Sequence, residues 1–311
     1  MNAAADLQQW LDARRLEVDR ALGEYLPSPP DCPTRVGEAM RYSLFAGGKR
    51  LRPMLALAAA EAANPSNPGL ARSLAMPVAC ALELIHTYSL VHDDLPAMDD
   101  DTLRRGRPTN HVVFGEGLAI LAGDGLLTEA FALMAREPRR AEGISTAELT
   151  ARKLRALALV AEAAGACGMV GGQAIDLEAA GARTTLDEEG LRAMHARKTG
   201  ALIRAAAGAG AVMGGASEAR LAAIESFASE LGLAFQIVDD ILDVEGAAED
   251  LGKTIGKDAA AGKPTYPALF GLERSRALAT DSIHRALTTL RMAAISGHLP
   301  AIAQWVLTRT T

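Results

Sequence analysis

Cysteine, aromatic residues and strand signals are all scarce in this chain of 311 residues. The three cysteines, Cys32, Cys80 and Cys167, are odd in number and show no CxxC spacing, which favours a reducing compartment. Aromatic residues make up 4% of a sequence that is 49% hydrophobic. The core must therefore consist largely of alanine and leucine, which are strong helix formers. No Asn-Gly or Asp-Gly hairpin lies between alternating runs, so the sequence predicts an all-α protein.

Several function classes are disfavoured by what else is missing. The formal net charge of −6 argues against a nucleic-acid surface. No HExxH or EF-hand pattern is present, which disfavours zinc and calcium sites. No run of 18 uncharged residues occurs, so we expect no membrane span. The first 20 residues are polar and contain four acidic residues, unlike a signal or transit peptide. These features predict a cytoplasmic protein.

Hydrophobic periodicity predicts one helical domain over residues 1–311. Helices are predicted at about 3–24, 36–45, 54–63, from 76 onward, 117–135, 147–168, 187–195, 198–213, 217–243, 264–280, 281–291 and 299–308. The run from Met76 is apolar almost all round, so its helix should be central. The segment from Glu245 to Gly262 has no regular pattern, and loops of that length are often functional lids.

An acidic cluster closes the apolar run that contains Phe235. Asp239 and Asp243 are four residues apart, so on a helix their carboxylates lie one turn above the other, with Asp240 between them. They border the buried stripe, where like charges are costly unless something positive neutralises them. Mg²⁺ is the simplest partner for an all-oxygen site.

A second acidic cluster, from His92 to Asp101, closes the apolar run from Met76. On a straight helix Asp93 and Asp99 would point about 120° apart. Pro96 should break the helix between them and could swing Asp99 back toward Asp93. Each cluster taken alone could be a solvated helix end. Together they suggest two acidic helix ends that face each other across one cavity.

Basic residues accompany both clusters. Lys49, Arg50 and Arg52 lie at a glycine-rich helix start, where free N–H groups favour anions. Further basic residues are Arg104, Arg105, Arg107, Lys198, Lys253, Lys257 and Lys263. Together with acidic metal sites they indicate a polyphosphate that is held partly through Mg²⁺ and partly directly. For Arg50 and Arg107, surface pairing with carboxylates is an equally open alternative.

The six histidines receive different interpretations. His86 lies seven residues before Asp93, on the same helix face, which favours a role as a ligand. The others are interpreted as structural (His92, His111, His195) or as surface residues (His284, His298).

These motifs resemble those of the trans-isoprenyl diphosphate synthases, in particular the bacterial farnesyl diphosphate synthases, over nearly the whole chain. The motifs are GGKRLRP from Gly47, the DDxxxxD form from Asp93, GGQAIDL from Gly171, KTGAL from Lys198, FQIVDDILD from Phe235 and GKTIGKD from Gly252. The resemblance implies a bundle of long helices around a deep central cavity, usually a homodimer. It also implies condensation of isopentenyl diphosphate with dimethylallyl or geranyl diphosphate to give farnesyl diphosphate.

The resemblance also assigns roles to residues. It implies that about three Mg²⁺ ions are held by Asp93, Asp94, Asp99 and Asp239, with Asp240 and Asp243 in support. The allylic diphosphate would be bound by Arg104, Lys198, Lys253 and Lys263, with Lys257 as the alternative to Lys263 because the spacing in this loop is variable. Isopentenyl diphosphate would be bound by Lys49, Arg52, His86 and Arg105. Lys198, Thr199 and Gln236 would stabilise the allylic cation.

Product length should depend on what lies beneath the first acidic cluster. Tyr88 and Ser89 precede Asp93 by five and four residues, about 6–8 Å deeper along a helix. A bulky Tyr88 could form a floor that favours a C15 over a C20 product. It could equally be a core tyrosine with a bonded hydroxyl.

Four alternatives remain. A geranylgeranyl diphosphate synthase would share all of these motifs. A terpene cyclase would not need the GGKRLRP stretch or a second acidic motif of this form. A non-catalytic partner subunit of a prenyl synthase would be expected to lose one acidic cluster, and a helical scaffold would leave the inward acids without a role.

Overall fold

The structure, a computed structural model, describes residues 3–180, 186–249 and 265–309. The helices of these ranges are α1 (Ala3–Tyr25), α2 (Thr34–Leu44), α3 (Leu51–Ala63), α4 (Pro68–Asp93), α5 (Asn110–Phe114), α6 (Glu116–Arg136), α7 (Thr146–Ala164), α8 (Met169–Ala180), α9 (Glu188–His195), α10 (Ala201–Gly214), α11 (Glu218–Glu249), α12 (Tyr266–Phe270), α13 (Leu272–Met292) and α14 (Leu299–Thr308). A π-helical turn, Ala196–Gly200, joins α9 to α10. Two short strands, β1 (Leu103–Arg104) and β2 (Arg107–Pro108), form an antiparallel hairpin.

Helix α4 lies at the centre of the bundle. It packs against α3 on one side, α6 on another, and α10. Nearly every residue of α3 and α10 is also buried, as the alanine-rich composition requires. Small side chains let these helices approach closely, because a Cβ placed on Gly210 of α10 would lie 2.1 Å from the carbonyl oxygen of Ala56 on α3. The prediction of an all-α fold is confirmed, and the apolar run from Met76 lies in the central helix, which begins earlier, at Pro68.

Some elements differ from the sequence prediction. Helices α5 and α8 and the small hairpin were not predicted. The two helices predicted at 264–280 and 281–291 are divided at a different place, since the short helix α12 ends at Phe270 and α13 continues without a break through residues 280 and 281. The first residues of the predicted irregular segment, 245–249, continue α11. The rest of that segment lies outside the described residues.

Four helices of the described ranges are long and apolar enough to cross a membrane, judged by length and composition alone. In α4, 78% of the apolar window is buried inside the protein, so packing accounts for its composition. In α6 only 39% of that window is buried. The expectation of no membrane span rests on the absence of a long run without charged residues. That criterion does not detect helices such as these, which are apolar on average although they contain charged residues.

The α3–α10 contact generates a prediction with a matched control. Gly210→Ala should lower the free energy of unfolding by about 1–3 kcal/mol, because the added methyl group overpacks the contact with Ala56. Gly23→Ala, in α1, meets nothing within 4 Å and should raise it by up to about 1 kcal/mol, because alanine is the better helix former. Urea denaturation measures both changes. Equal effects of the two substitutions would show that close packing does not set the α3–α10 distance.

Candidate active site

The first acidic cluster folds back on the end of α4. The helix ends at Asp93, and Pro96 lies in the turn that follows. The Asp99 N–H donates to the Asp93 carbonyl at 2.9 Å, and the Asp101 N–H donates to the Asp94 carbonyl at 3.2 Å. The turn therefore brings the backbone of Asp99 against that of Asp93.

The electrostatics of Asp93 reflect this crowding. Burial raises the pKa of Asp93 to about 6; the positive charge of Lys198 opposes the rise, and the negative charge of Asp99 adds to it. A carboxylate that is desolvated and close to a second carboxylate is stabilised by an added cation.

Asp94, predicted as a metal ligand, pairs with Arg104, predicted to bind diphosphate. The Nε atom of Arg104 lies 2.7 Å and an Nη atom 2.6 Å from the same oxygen of Asp94. The hairpin carries Arg104 into this position. Asp94 is buried, so this ion pair must be shared or must open before either residue reaches a ligand.

Asp239, in the second acidic cluster, pairs with Arg309 near the end of the described chain. Arg309 donates to Asp239 at 2.5 Å and to the Phe235 carbonyl at 3.0 Å. Its guanidinium lies 4.0 Å from the centroid of the Phe235 ring. Burial raises the pKa of Asp239, and the charge of Arg309 opposes this. Sequence reasoning missed Arg309, since it lies in no motif.

Asp240 and Asp243 differ in their surroundings. Asp240 is buried and accepts a hydrogen bond from the Tyr266 N–H at 2.9 Å, so one of its oxygens anchors the start of α12. Asp243 is half-buried one turn beyond Asp239. The predicted supporting role of Asp240 thus includes a structural one.

The π-helical turn positions Lys198 and Thr199. Lys198 Nζ lies 2.5 Å from the carboxylate of Asp176, a buried residue of α8. Gly172, also on α8, permits this approach, since a Cβ there would lie 2.2 Å from the Lys198 backbone nitrogen. Isolated π-helical turns occur frequently at functional sites. Asp176 thus holds the Lys198 side chain by an ion pair, a contact that the GGQAIDL motif alone did not predict.

A cavity of about 360 Å³, which we call the Asp93 cavity, lies beside this turn. Its lining includes Arg52, Tyr88, Ser89, Asp93, Gln173, Lys198 and Thr199, with the apolar side chains of Met98, Met169, Val170 and Leu177. Both polar atoms of the Gln173 amide are buried and have no partner among the described residues. A buried amide without a partner is costly, which marks Gln173 as a further candidate for ligand contact.

A second cavity, of about 510 Å³, lies on the other side of Arg52, and we call it the Lys49 cavity. It collects all four residues that were predicted to bind isopentenyl diphosphate: Lys49, Arg52, His86 and Arg105. Its lining also includes the basic residues Arg15, Arg50 and Arg309 and the acidic residues Glu83 and Asp239. Basic side chains thus outnumber carboxylates by six to two, which suits an anion.

The glycine-rich turn before α3 shapes the Lys49 cavity. Gly47 and Gly48 have φ values of 91° and 132°, a region that favours glycine. The guanidinium of Arg105 donates to the Gly47 carbonyl. A Cβ on Gly48 would lie 2.8 Å from an Nη atom of Arg105. The two glycines therefore let Arg105, on the hairpin turn, reach the cavity.

Arg50 and Arg107, which the sequence left open, have different environments. Arg50 is buried and donates to Glu83 at 2.7 Å, Asp19 at 2.9 Å and the Leu44 carbonyl at 2.8 Å. These bonds occupy its guanidinium, so Arg50 fixes the wall of the cavity. Arg107 is exposed, with its guanidinium 4.7 Å from the centroid of the Tyr42 ring.

His86 lies among cations. Burial lowers its pKa well below the usual range, and the positive charges of Arg52 and Arg105 lower it further. The imidazole is therefore neutral at pH 7 and can donate one hydrogen bond to an anion.

Several residues predicted for the site line neither cavity in the part of the chain that the structure describes. Arg104, Asp94, Asp99, Asp240 and Asp243 lie outside both linings. Lys253 and Lys263 lie outside the described residues, as does Lys257. Gln236 is half-buried on α11, after Phe235, and does not line the described part of the Asp93 or the Lys49 cavity. In the ranges that the structure describes, no three acidic, histidine or cysteine side chains are grouped closely enough to hold a metal ion as they stand.

The donors nevertheless suit magnesium. Asp93 and Asp99 meet at the turn, and both present carboxylate oxygens, the ligands that Mg²⁺ prefers. Magnesium usually takes only one or two protein carboxylates and completes its shell with water and phosphate oxygens. A site that needs the substrate's oxygens is not complete in the protein alone.

Comparison with known proteins places this arrangement in a family. A model of the polyprenyl synthetase family matches residues 33–294. The farnesyl diphosphate synthase of Geobacillus stearothermophilus is 45% identical over 295 residues, 95% of either chain. The geranylgeranyl diphosphate synthase of Cyanophora paradoxa is 46% identical over 271 residues, 87% of this chain and 86% of its own. A crystal structure of an FPP/GFPP synthase from Zymomonas mobilis superposes with a TM-score of 0.83 at 36% identity, covering 97% of this chain and 99% of that one. The resemblance first seen in the motifs is confirmed: this chain belongs to the polyprenyl synthetase family.

Proposed function

We propose that this enzyme condenses isopentenyl diphosphate with dimethylallyl and then geranyl diphosphate to give farnesyl diphosphate. The observation that carries the proposal is the pair of cavities that share Arg52. One is strongly basic, and the other combines the carboxylate of Asp93, the ammonium group of Lys198 and an apolar lining. Two diphosphate substrates can thus lie side by side with their prenyl groups directed to one apolar space.

The Asp93 cavity would bind the allylic substrate. Asp93, Asp94, Asp99 and Asp239, supported by Asp240 and Asp243, would hold about three Mg²⁺ ions. When bound, these ions would neutralise the negative charge that grows on the departing diphosphate. Lys198 and Arg104 would donate to the same diphosphate, joined by Lys253 and Lys263, which are proposed from sequence alone. Lys198 and Arg104 now pair with Asp176 and Asp94, so they reach the substrate by sharing or exchanging these partners.

The Lys49 cavity would bind isopentenyl diphosphate. Lys49, Arg52 and Arg105 supply charge, and neutral His86 donates a hydrogen bond. The allylic cation would then be attacked by the double bond of isopentenyl diphosphate. The proton that is lost would pass to the released diphosphate, so no side chain has to act as the base. The hydroxyl of Thr199 and the amide of Gln236 would stabilise the cation.

The apolar lining of the Asp93 cavity would receive the growing chain. Tyr88 is 7% exposed and lies edge-on to His92, with ring centroids 5.6 Å apart. It lies deeper than Asp93 on α4 and would form the floor that ends growth at C15, with Ser89 beside it. A C20 product is the second candidate, because geranylgeranyl diphosphate synthases are equally similar in sequence.

We also propose that residues 1–311 act as one domain, in the cytoplasm, without a membrane span, and as a homodimer. Support for the dimer comes from an apolar surface on α5 and α6. Its residues Val112, Val113, Ile120 and Leu121 are 49%, 44%, 44% and 53% exposed. Exposed apolar side chains that are grouped on neighbouring helices are typical of protein interfaces.

The basic cavity gives the first functional prediction. Arg105→Gln should raise KM for isopentenyl diphosphate by about 10- to 100-fold, because a charge-assisted hydrogen bond contributes about 1.5–3 kcal/mol. Arg107→Gln, two residues away, should leave KM nearly unchanged. Steady-state kinetics with each substrate varied measures this, and equal effects of the two changes would remove Arg105 from the binding site.

Product analysis tests both the function and the floor. With isopentenyl and dimethylallyl diphosphate and Mg²⁺, the wild type should release a C15 product, and none with excess EDTA. Tyr88→Ala should shift the products to C20 or longer, because the cavity deepens, whereas Ser89→Ala should shift them less. A C20 product from the wild type would favour the second candidate. No turnover of any allylic diphosphate would refute the proposed activity.

The apolar surface on α5 and α6 gives a prediction about the oligomeric state. Leu121→Arg should convert the dimer to a monomer in analytical ultracentrifugation, because it would place a charge in the interface. Leu16→Arg is the control, since Leu16 on α1 is 73% exposed and lies far from this surface in the chain. A wild-type monomer, or a dimer that Leu121→Arg leaves intact, would contradict the proposed interface.

A further inference from the structure

A third cavity, of about 380 Å³, lies on the outer side of the π-helical turn. We call it the outer cavity. Its lining comprises Cys167, Arg192, His195, Ala196, Arg197, Gly200, Ala201, Arg204, Ser229, Glu230 and Leu233. None of these residues lines the Asp93 cavity or the Lys49 cavity. The outer cavity is therefore separate from the proposed catalytic site.

Positive charge dominates the outer cavity. Three arginines line it, against one carboxylate, that of Glu230. Glu230 is already engaged, because Arg285 and the Ser282 hydroxyl donate to it at 2.8 Å and 2.5 Å. Within the described ranges, the guanidinium groups of Arg192 and Arg204, both exposed, form no ion pair or hydrogen bond. Two guanidinium groups are thus available at a concave surface, the arrangement that binds phosphate groups.

His195 provides a second, independent observation. It lines the outer cavity and is 7% exposed, and its Nδ1 atom is buried without a hydrogen-bond partner among the described residues. Burial lowers its pKa to about 4, so the ring is neutral at pH 7. A buried ring nitrogen without a partner costs free energy, and a ligand in the cavity could supply that partner. The sequence interpretation of His195 as a purely structural residue leaves this atom unexplained.

The π-helical turn is the wall between the outer cavity and the Asp93 cavity. Ala196, Arg197 and Gly200 face the outer cavity, whereas Lys198 and Thr199 line the Asp93 cavity. Glycines clamp the turn on both sides: a Cβ on Gly172 would meet Lys198, and a Cβ on Gly232 would lie 3.1 Å from the Cα atom of Gly200. Because the turn is tightly packed on both sides, a ligand that displaces it from the outer cavity would also displace Lys198.

We propose that the outer cavity is a regulatory anion site that binds a phosphate or diphosphate group and acts on Lys198 through the π-helical turn. Its volume lies near the lower end of the range for small-molecule sites, which suits inorganic diphosphate or a short diphosphate ester. The identification of the natural ligand as the diphosphate that the reaction releases rests on the proposed function. The existence of the anion site does not depend on that function.

Cys167 offers a reporter for occupancy. It is exposed and lines the outer cavity, while Cys32 and Cys80 are buried. The rate of Cys167 alkylation by iodoacetamide can be followed by mass spectrometry without turnover, in EDTA. Inorganic diphosphate at about four times its dissociation constant should slow alkylation about fivefold, because the free fraction of the site falls by that factor.

Two variants test whether the protection of Cys167 against alkylation comes from binding in the outer cavity. The double variant R192Q/R204Q removes the two available guanidinium groups from exposed positions, so it should fold normally. It should lose the protection. Arg274→Gln, an exposed arginine on α13 outside the cavity, should keep it. A parallel sample with inorganic phosphate shows whether the site binds a phosphate or needs a diphosphate. A further sample with geranyl diphosphate shows whether it binds the free anion or also an ester. No protection in the wild type, or equal protection in the double variant, would overturn the proposal.

A separate measurement tests whether binding in the outer cavity changes the rate of the reaction. Neither Arg192 nor Arg204 belongs to the proposed catalytic machinery, so R192Q/R204Q should retain the basal rate. Inorganic diphosphate should lower kcat and raise KM for the allylic substrate in the wild type. In the double variant it should only raise KM, because only competition at the Asp93 cavity remains. The same inhibition pattern in both proteins would refute coupling through the turn. Because the alkylation assay needs no turnover, failure of the proposed activity would leave the anion site testable.

Discussion

The central constraint in this molecule is the placement of charged side chains beside an apolar helical core. Charges at such positions are costly unless an opposite charge lies close by. At the candidate site, three ion pairs between described residues meet this requirement: Arg104 with Asp94, Lys198 with Asp176 and Arg309 with Asp239. Each joins a residue predicted to bind metal or diphosphate to a neighbour of opposite charge. Binding of Mg²⁺ and diphosphate would then exchange one set of partners for another, rather than desolvate bare charges.

The same constraint separates the two proposed substrate sites. The Lys49 cavity has a surplus of positive charge, and Arg50 with Glu83 fixes its wall. The Asp93 cavity combines the carboxylate of Asp93 and the charge of Lys198 with apolar side chains. Arg52 lines both, and its Nε atom is buried without a partner among the described residues. One guanidinium at the common wall can thus respond to ligands in either cavity.

Much of the fold and part of the candidate site could be predicted from the sequence. Helical periodicity and an alanine-rich composition were enough for the all-α fold, and the run from Met76 was enough for the central helix. The grouping of Lys49, Arg52, His86 and Arg105 came from a family resemblance, and the structure brings these four to one cavity. Local patterns could not provide what depends on distant contacts. Arg309 reaches Asp239 from 70 residues away, and the π-helical turn at Lys198 has no sequence signal of its own. The partners of Asp94 and Asp176 likewise depend on how the hairpin and α8 pack.

The most direct test of the account is a crystal structure with Mn²⁺ in place of Mg²⁺ and an unreactive thio analogue of geranyl diphosphate. Anomalous scattering locates the metal ions. We expect peaks between the diphosphate and Asp93 and Asp99 on one side and between the diphosphate and Asp239 on the other. The Asp239 carboxylate should then be shared between Arg309 and metal, or released by Arg309. Peaks elsewhere, with Asp93 and Asp239 directed away from each other into solvent, would contradict the account.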